Sequence, residues 1–352
     1  MRNLIKWALI LATLGLAAAS FAALIETNRW WIRMTDFPRL QYAIGLLVLL
    51  VLIGMARAVP VRVRAMLAAA ALAALAYNAV KIGPYLLGTR GELAACAPDS
   101  QISVMVANVQ LRNRDAGGLV RLVRDRSPDL LLALETNEWW DEELSALAGE
   151  MPHTVSEITG SYFGMHLFSR LPLSQTETIY PVEQDTPAIL ATVTLPSEDT
   201  ARFIGLHPRP PHPGQSSTGR DAELMWAALR AREAGPGVIL AGDMNATPWE
   251  RTVERTQRIG ALIDPRDDSG FLPTYDAKSW WMSWPLDQVL HGSGLSVMEM
   301  EVLPGFGSDH YPVEVTLCHR PSGREAPELR PDDMSEARTT LDAALEGRAE
   351  AH

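Results

Sequence analysis

Residues 237–249 read GVILAGDMNATPW, an apolar run that ends abruptly at Gly-Asp-x-Asn and a proline turn. A stretch this short and this uniformly apolar reads as a strand buried on both faces, and such strands belong inside layered α/β domains. Working outward, runs of the same kind recur at ISVMVANV (102–109), LLLALE (130–135), FGMHLFS (163–169), AILATVTL (188–195), RFIGLH (202–207), DQVLHG (287–292) and VEVTL (313–317). Between them, GGLVRLVRDRSPD (117–129), DAELMWAALRARE (221–233) and PWERTVERTQRIG (248–260) place apolar residues three and four apart and read as helices. Strands outnumber helices. The expected fold class is therefore α/β (α+β), a two-sheet β-sandwich flanked by helices in four layers, over residues 98–320.

The rest of the chain is different in kind. Residues 1–97 carry a net charge of +7, residues 98–320 carry −14 and residues 321–352 carry −4, within 352 residues and −11 overall. Three apolar stretches, 4–25, 40–56 and 65–87, approach the ~20 residues that a helix needs to cross a bilayer. Residues 1–90 are thus expected to hold about three transmembrane helices that bind the chain to a lipid bilayer. Arg2 and Lys6 flank the first span, and Arg57, Arg62 and Arg64 fill the second loop, against Arg29, Arg33 and Arg39 in the first. That bias keeps the amino terminus inside and delivers the catalytic segment to the outer, periplasmic face of the inner membrane. The first span, which ends in small residues, could instead be a cleaved signal sequence, and the remaining two spans would leave residue 90 on the same side. Residues 321–352 lose the apolar runs and are expected to be an acidic, disordered tail with at most a short helix after Asp333.

Polar residues repeatedly close the strand-like runs of the central segment: Asn108, Glu135, His207, Asp243 with Asn245, Asp287, and Asp309 with His310. A side chain at the end of a buried strand is held rigidly yet reaches solvent, which suits positioned catalytic groups. These groups are expected to face a solvated cleft. Four carboxylates in one cleft would repel an anionic phosphoester unless a divalent cation were bound, and their hard oxygens suit Mg²⁺ or Mn²⁺. Cysteine or histidine clusters at zinc spacing are lacking, as are a Gly-rich phosphate loop and internal repeats.

The ordered set VANVQ (106–110), ALETN (133–137), FSRLPL (168–173), GLHPRPP (205–211), AGDMNATPW (241–249), PLDQVL (285–290) and GSDHYPV (307–313) resembles the endonuclease/exonuclease/phosphatase family over about residues 100–318, and its bacterial membrane-anchored subgroup. The resemblance implies a metal-dependent phosphoester hydrolase. It makes Glu135 the principal metal ligand with Asn108 and Asp309 close by, Asp243 and Asn245 the groups that orient the attacking water and steady a phosphoryl oxygen, Asp287 the partner of His310, and His207 a donor across the phosphate. Gln110 departs from the family pattern, which often has a carboxylate there, and weakens a second metal site. Arg170 reads as structural, and His166, His212 and His291 have no motif support.

Acidity and a single lysine, Lys278, within 98–320 argue against avid non-specific duplex DNA binding. The function expected is a phosphodiesterase acting on an anionic phosphoester, lipid-linked or soluble; an extracytoplasmic nuclease and a catalytically silent scaffold are the rivals. Trp139 and Trp140, and Trp280, Trp281 and Trp284, fall on loops near the cleft mouth, where they read either as a rim for a lipid or as ordinary packing. Finally, the fold implied by the resemblance sets the first and last strands side by side and antiparallel. Cys96 and Cys318 then lie near one another at the end remote from the cleft and are expected to form a disulfide.

Overall fold

Residues 2–87 and 96–350 are described by the structure, a computed structural model of the full chain. The boundary expected near residue 90 lies outside the described residues. Two units separate: one comprises residues 1–87 together with Pro211–Ser217, the other residues 88–210 and 218–352.

In the first unit, α1 (Arg2–Ala22), the single turn α2 (Trp30–Arg33), α3 (Arg39–Met55) and α4 (Val61–Leu87) form a helical group. Leu9, Leu49, Ile53 and Leu67 pack in one buried cluster, and Ala17, Leu46, Ala71 and Ala74 in another, while Leu11, Leu14, Leu47, Val51 and Leu72 point outward. Alanines among the buried contacts and large apolar side chains facing outward suit a hydrocarbon surround, where helices associate by close packing. Asn3–Ala22 and Val61–Leu86 are each long and apolar enough to cross a membrane. The middle stretch reaches that standard only if Trp30–Asp36 and Arg39–Met55, bent by 70°, count as one span. A buried polar knot ties the helices together: Arg39 pairs with Asp36 at 2.6 Å and donates to Asn78 Oδ1 at 3.0 Å, and Asn78 donates to Ser20 Oγ at 2.8 Å. Pro211–Ser217 joins this unit through the Ser217 N–H, which donates to the Asn28 carbonyl at 2.9 Å.

The second unit contains two six-stranded sheets. One has the order β11-β12-β1-β2-β4-β3, with β1 Gln101–Asn108, β2 Leu130–Leu134, β3 His153–Glu157, β4 Met165–Ser169, β11 Ser296–Val302 and β12 Val313–Cys318. The other has the order β5-β6-β7-β8-β10-β9, with β5 Leu173–Ile179, β6 Ala188–Thr194, β7 Thr200–Leu206, β8 Val238–Asp243, β9 Leu262–Ile263 and β10 Asp287–Gly292. Alternation within each strand sends Ile102, Val104, Val106, Leu130 and Leu132 from one sheet against Ile189, Ala191, Phe203, Ile239 and Val289 from the other. The opposite faces are covered by α5 (Ala116–Arg126) and α6 (Glu138–Leu144) on the first sheet, and by α7 (Thr218–Ala234) and α8 (Arg251–Gly260) on the second. A further single turn, α9, spans Arg266–Ser269. Burial on both faces is why the central strands read as continuous apolar runs.

The expected four-layer sandwich is what the chain forms. One segment goes further than expected: where the acidic tail was read as disordered with at most a short helix after Asp333, α10 (Asp333–Glu350) runs for 18 residues and packs within the second unit. Ala337 is buried against α7 and α8, with Met334 and Leu341 packed beside it. Asp333, fully buried, accepts from Arg258 Nε and Nη2, both at 2.7 Å. Met334, Ala337 and Leu341 of α10 are too few to stand out among the charges of the sequence, but they suffice once a finished surface waits for them.

β1 and β12 are antiparallel neighbours with Gln101 opposite Cys318, and Cys96 and Cys318 are joined by a disulfide across a Cα–Cα distance of 5.9 Å.

Candidate active site

β1, β2, β7 and β8 end together, and β10 begins there, so their terminal residues converge. Asp243 is the last residue of β8 and pairs directly with Asp287, the first of β10. Gly242 makes that strand end feasible. It has φ of 149°, and a Cβ built there would lie 1.8 Å from the Leu206 carbonyl of β7, so no side chain fits.

Two site residues sit in left-handed backbone, Glu135 at φ 61° and Asn245 at φ 47°. For a glutamate that conformation is uncommon and costs on the order of 1 kcal/mol, which neighbours must hold in place. Here Glu135 Oε1 accepts from Asn108 Nδ2 at 3.1 Å and Oε2 accepts from the Leu111 N–H at 3.0 Å. The Asn245 N–H donates to Asp243 Oδ1 at 2.9 Å, and its side chain donates to the Pro208 carbonyl at 2.9 Å. Behind it, the fully buried Arg220 donates to the Asn245 carbonyl at 2.8 Å and pairs with Asp221 and Glu250. Arg220 is a positioning residue that sequence reading missed, because a lone arginine in a helix carries no motif.

Asp243 Oδ2 is the hub. It accepts from Asn108 Nδ2 at 3.1 Å and lies 3.7 Å from His207 Nε2 and 3.6 Å from His310 Nε2. On its other side His310 bonds through Nδ1 to Asp287 Oδ2 at 2.7 Å. Burial alone would lower the basicity of His310, but Asp287 first and Asp243 next overcome it and push the imidazole up to about 10, so it is charged at neutral pH. Ser308 supports this arrangement: its hydroxyl donates to the Asn108 carbonyl at 2.7 Å and accepts from the His310 N–H at 3.0 Å.

Tyr275, absent from the sequence-derived set, packs its ring 4.8 Å from that of His310. Burial, then the fields of Asp309, Asp276, Asp243 and Glu135, raise its phenol to about 12. A half-buried tyrosine packed beside His310 leaves no trace in sequence spacing.

One expectation is corrected. Asn108, His207, Asp243, Asp287 and His310 are all buried rather than facing a solvated cleft. Glu135 and Asp309 are half-buried, and Asn245 likewise. The remaining histidines have other duties: His166 is buried between Thr136 and Asp141, His291 bonds to the Gly292 carbonyl, and exposed His212 bonds to the Pro213 carbonyl. Arg170 bonds to the Pro128 carbonyl and approaches Glu150, a structural role. Gln110 Oε1 accepts from Lys278 at 2.6 Å.

The donor set fits a divalent cation. Among the described residues, Asp243, Asp287 and His310 bring ligand-type atoms within 4.8 Å of one another. In that trio, however, the imidazole already lies between two carboxylates, the arrangement of an oriented charged histidine. Glu135, which shares the Asn108 Nδ2 donor with Asp243, and Asp309, next to His310 in the chain, are half-buried carboxylates, and hard oxygen donors suit divalent cations.

The family model described as Endonuclease/Exonuclease/phosphatase family matches residues 105–310. Among curated proteins none matches. Among solved structures, a humanized D. rerio TDP2 aligns at 18% identity and TM-score 0.55 over 62% of this chain and 99% of its own. An endonuclease/exonuclease/phosphatase from Beutenbergia cavernae aligns at 18% identity and TM-score 0.52 over 63% and 72%. The human Nocturnin catalytic domain with bound sulfate anion aligns at 17% identity and TM-score 0.51 over 63% and 95%. At these identities the likeness is one of fold.

Proposed function

Because the chain belongs to the endonuclease/exonuclease/phosphatase family, we propose that it is a membrane-anchored, divalent-metal-dependent phosphodiesterase that attacks its substrate with water. The observation that carries this reading is the His207–Asp243–His310–Asp287 array, in which one carboxylate oxygen lies between two imidazoles and one imidazole is tied to a second carboxylate.

Mg²⁺ or Mn²⁺ held by Glu135, with Asn108 and Asp309 beside it, would supply charge neutralisation and polarisation at the phosphoryl oxygen. The chain's own residues do the rest. Asp243 orients a water and takes its proton, as its acceptor position between two histidines suits. Asn245, locked in left-handed backbone by the Asp243 bond, offers its amide to a phosphoryl oxygen. His310, held charged by Asp287, stabilises the charge that builds on the phosphorus oxygens. His207, whose Nε2 lies 3.7 Å from Asp243 Oδ2, turns that nitrogen toward the site and would donate to the leaving oxygen.

The helices at the amino end support anchoring in a bilayer, and the arginine bias of their loops supports an amino terminus inside with the catalytic unit outside. The Cys96–Cys318 bridge supports the same side, since disulfides persist in oxidising compartments. A nuclease is the second reading: a D. rerio TDP2 structure of the same fold is complexed with a single strand DNA product. The −14 charge of residues 98–320 weighs against it.

The test is turnover by the purified full chain of bis(4-nitrophenyl) phosphate and of plasmid DNA. The expected result is hydrolysis of the small diester with little nicking of the plasmid, both reduced on the order of 10²-fold in Asp243→Asn and His310→Ala. Rates unchanged in both variants would contradict the assignment; a faster reaction on DNA would favour the nuclease.

A further inference from the structure

Large apolar side chains exposed in the second unit are few, and most of them gather in one place. Among the described residues they are Ile158, Tyr162, Tyr180, Trp280 and Trp281, with Leu329 and Leu345 near the carboxyl end. Trp280 is 95% exposed and Trp281 is 52% exposed.

Both tryptophans cap a tight loop built on the site itself. The Ala277 N–H donates to the Asp309 carbonyl at 2.7 Å, Lys278 reaches Gln110, and the Asp276 N–H donates to the Met282 carbonyl at 3.1 Å. Ile158 and Tyr162 lie on the β3–β4 loop, which borders the same strand ends. The Thr136 N–H, next to Glu135, donates to the Gly164 carbonyl at 3.0 Å, and the Phe163 ring lies 5.5 Å from that of His207. Two apolar fingers therefore rise from the rim of the catalytic pocket, with the lysine at the base of one of them.

Exposed tryptophan and tyrosine together with lysine are what a protein places at the level of lipid headgroups. The chain itself identifies the bilayer. Residues Pro211–Ser217, which follow His207 by only a few positions, belong to the unit formed by the apolar helices. Asn28, which receives the Ser217 N–H, lies six residues past the end of α1, where a spanning helix leaves the hydrocarbon.

We propose that the Trp280–Trp281 loop and the Tyr162 loop rest on the bilayer that holds the chain's own helices, and that the site takes phosphoesters carried by lipids from the plane of that membrane. The proposal rests on the hydrolase reading for its chemistry and on the rim for its geometry, and the two separate experimentally.

The full chain, with its ten tryptophans, is reconstituted into phosphatidylcholine vesicles brominated at shallow acyl positions, which quench tryptophan by contact. Wild type is compared with Trp280→Ser and with Trp280→Ser/Trp281→Ser, and bis(4-nitrophenyl) phosphate turnover is read in the same samples. If the loop is in the bilayer, removing quenched tryptophans lowers the quenched fraction of the emission that remains. If it is in water, removing unquenched ones raises it. A fall supports the proposal, and a rise or no change overturns it. Absence of turnover in the wild type together with a fall in quenching in the variants would remove the hydrolase reading while leaving the docking; wild-type turnover with a rise in quenching would do the reverse.

Discussion

His310 and Asp287 are both buried and bonded at 2.7 Å, and the imidazole is charged because the carboxylate is there. A buried pair of this kind is costly to break from one side, since the surviving charge loses its partner without regaining water. Asp287→Ala is therefore expected to lower the stability of the catalytic unit by about 3 kcal/mol as well as to reduce activity. Denaturant unfolding monitored by fluorescence checks it; a loss of activity with an unchanged midpoint would show that Asp287 serves chemistry alone. These residues were legible in the sequence because each closes an apolar run and each stands in a recognisable order. Their burial was not, because it arises from partners on six different segments. Tyr275 and Arg220 were invisible for the same reason: a ring packed at a tilt beside His310 and a guanidinium bonded to the Asn245 carbonyl are products of packing rather than spacing.

Helix α7 carries a second titratable group that the chemistry does not use. Glu223 is buried, its Oε1 accepts from the Thr186 hydroxyl and its Oε2 has no partner. Burial raises its carboxyl to about 8 against the opposing hydrogen bonds of the Thr186 hydroxyl and the Glu183 backbone, with the Glu183 charge raising it and Arg209 lowering it to smaller degrees. Its folded value thus lies above the unfolded one of 4.5, so the native state holds a proton that the unfolded chain releases. The contribution to stability is complete below pH 4.5 and is lost as pH rises through about 8. Glu223→Gln is expected to flatten that decline and to leave the variant more stable than wild type above pH 8, as urea midpoints across pH 5–9 would register. Parallel pH profiles would show that Glu223 ionises without cost.

The elements themselves were unevenly readable. Central strands and the helices α5, α7 and α8 follow from apolar runs and three-four spacing. The strands β3, β5 and β11 were missed because they are more exposed and carry polar residues throughout, as HTVSE and LSQTETI show. Helix α10 was read as at most a short helix in a tail because its length rests on Arg258 and the α7–α8 surface rather than on its own sequence.

Across the whole molecule, the disulfide closes a separation of 222 residues between the amino end of the catalytic unit and its last strand. In the chain-entropy model such a closure stabilises by up to about 5 kcal/mol. Cys96→Ser is expected to lower the thermal midpoint markedly for protein exported to an oxidising compartment, and a phosphatase reporter fused after residue 95 is expected to be active while one at residue 60 is silent. The reverse reporter pattern would place the unit on the inner side. The pairing of first and last strands, once inferred, made the bridge readable; the Pro211–Ser217 segment's membership in the helical unit left no sign in the sequence.

The central claim is that phosphodiester hydrolysis here depends on a divalent cation held at Glu135. The direct measurement is the rate of bis(4-nitrophenyl) phosphate hydrolysis by the full chain in chelator and during titration with Mg²⁺ or Mn²⁺, for wild type and Glu135→Gln. Activity absent in chelator, restored by either ion, and in Glu135→Gln requiring at least about tenfold more ion or failing to return is the predicted result. Hydrolysis that persists in chelator, or a Glu135→Gln variant with the wild-type metal requirement, would contradict it.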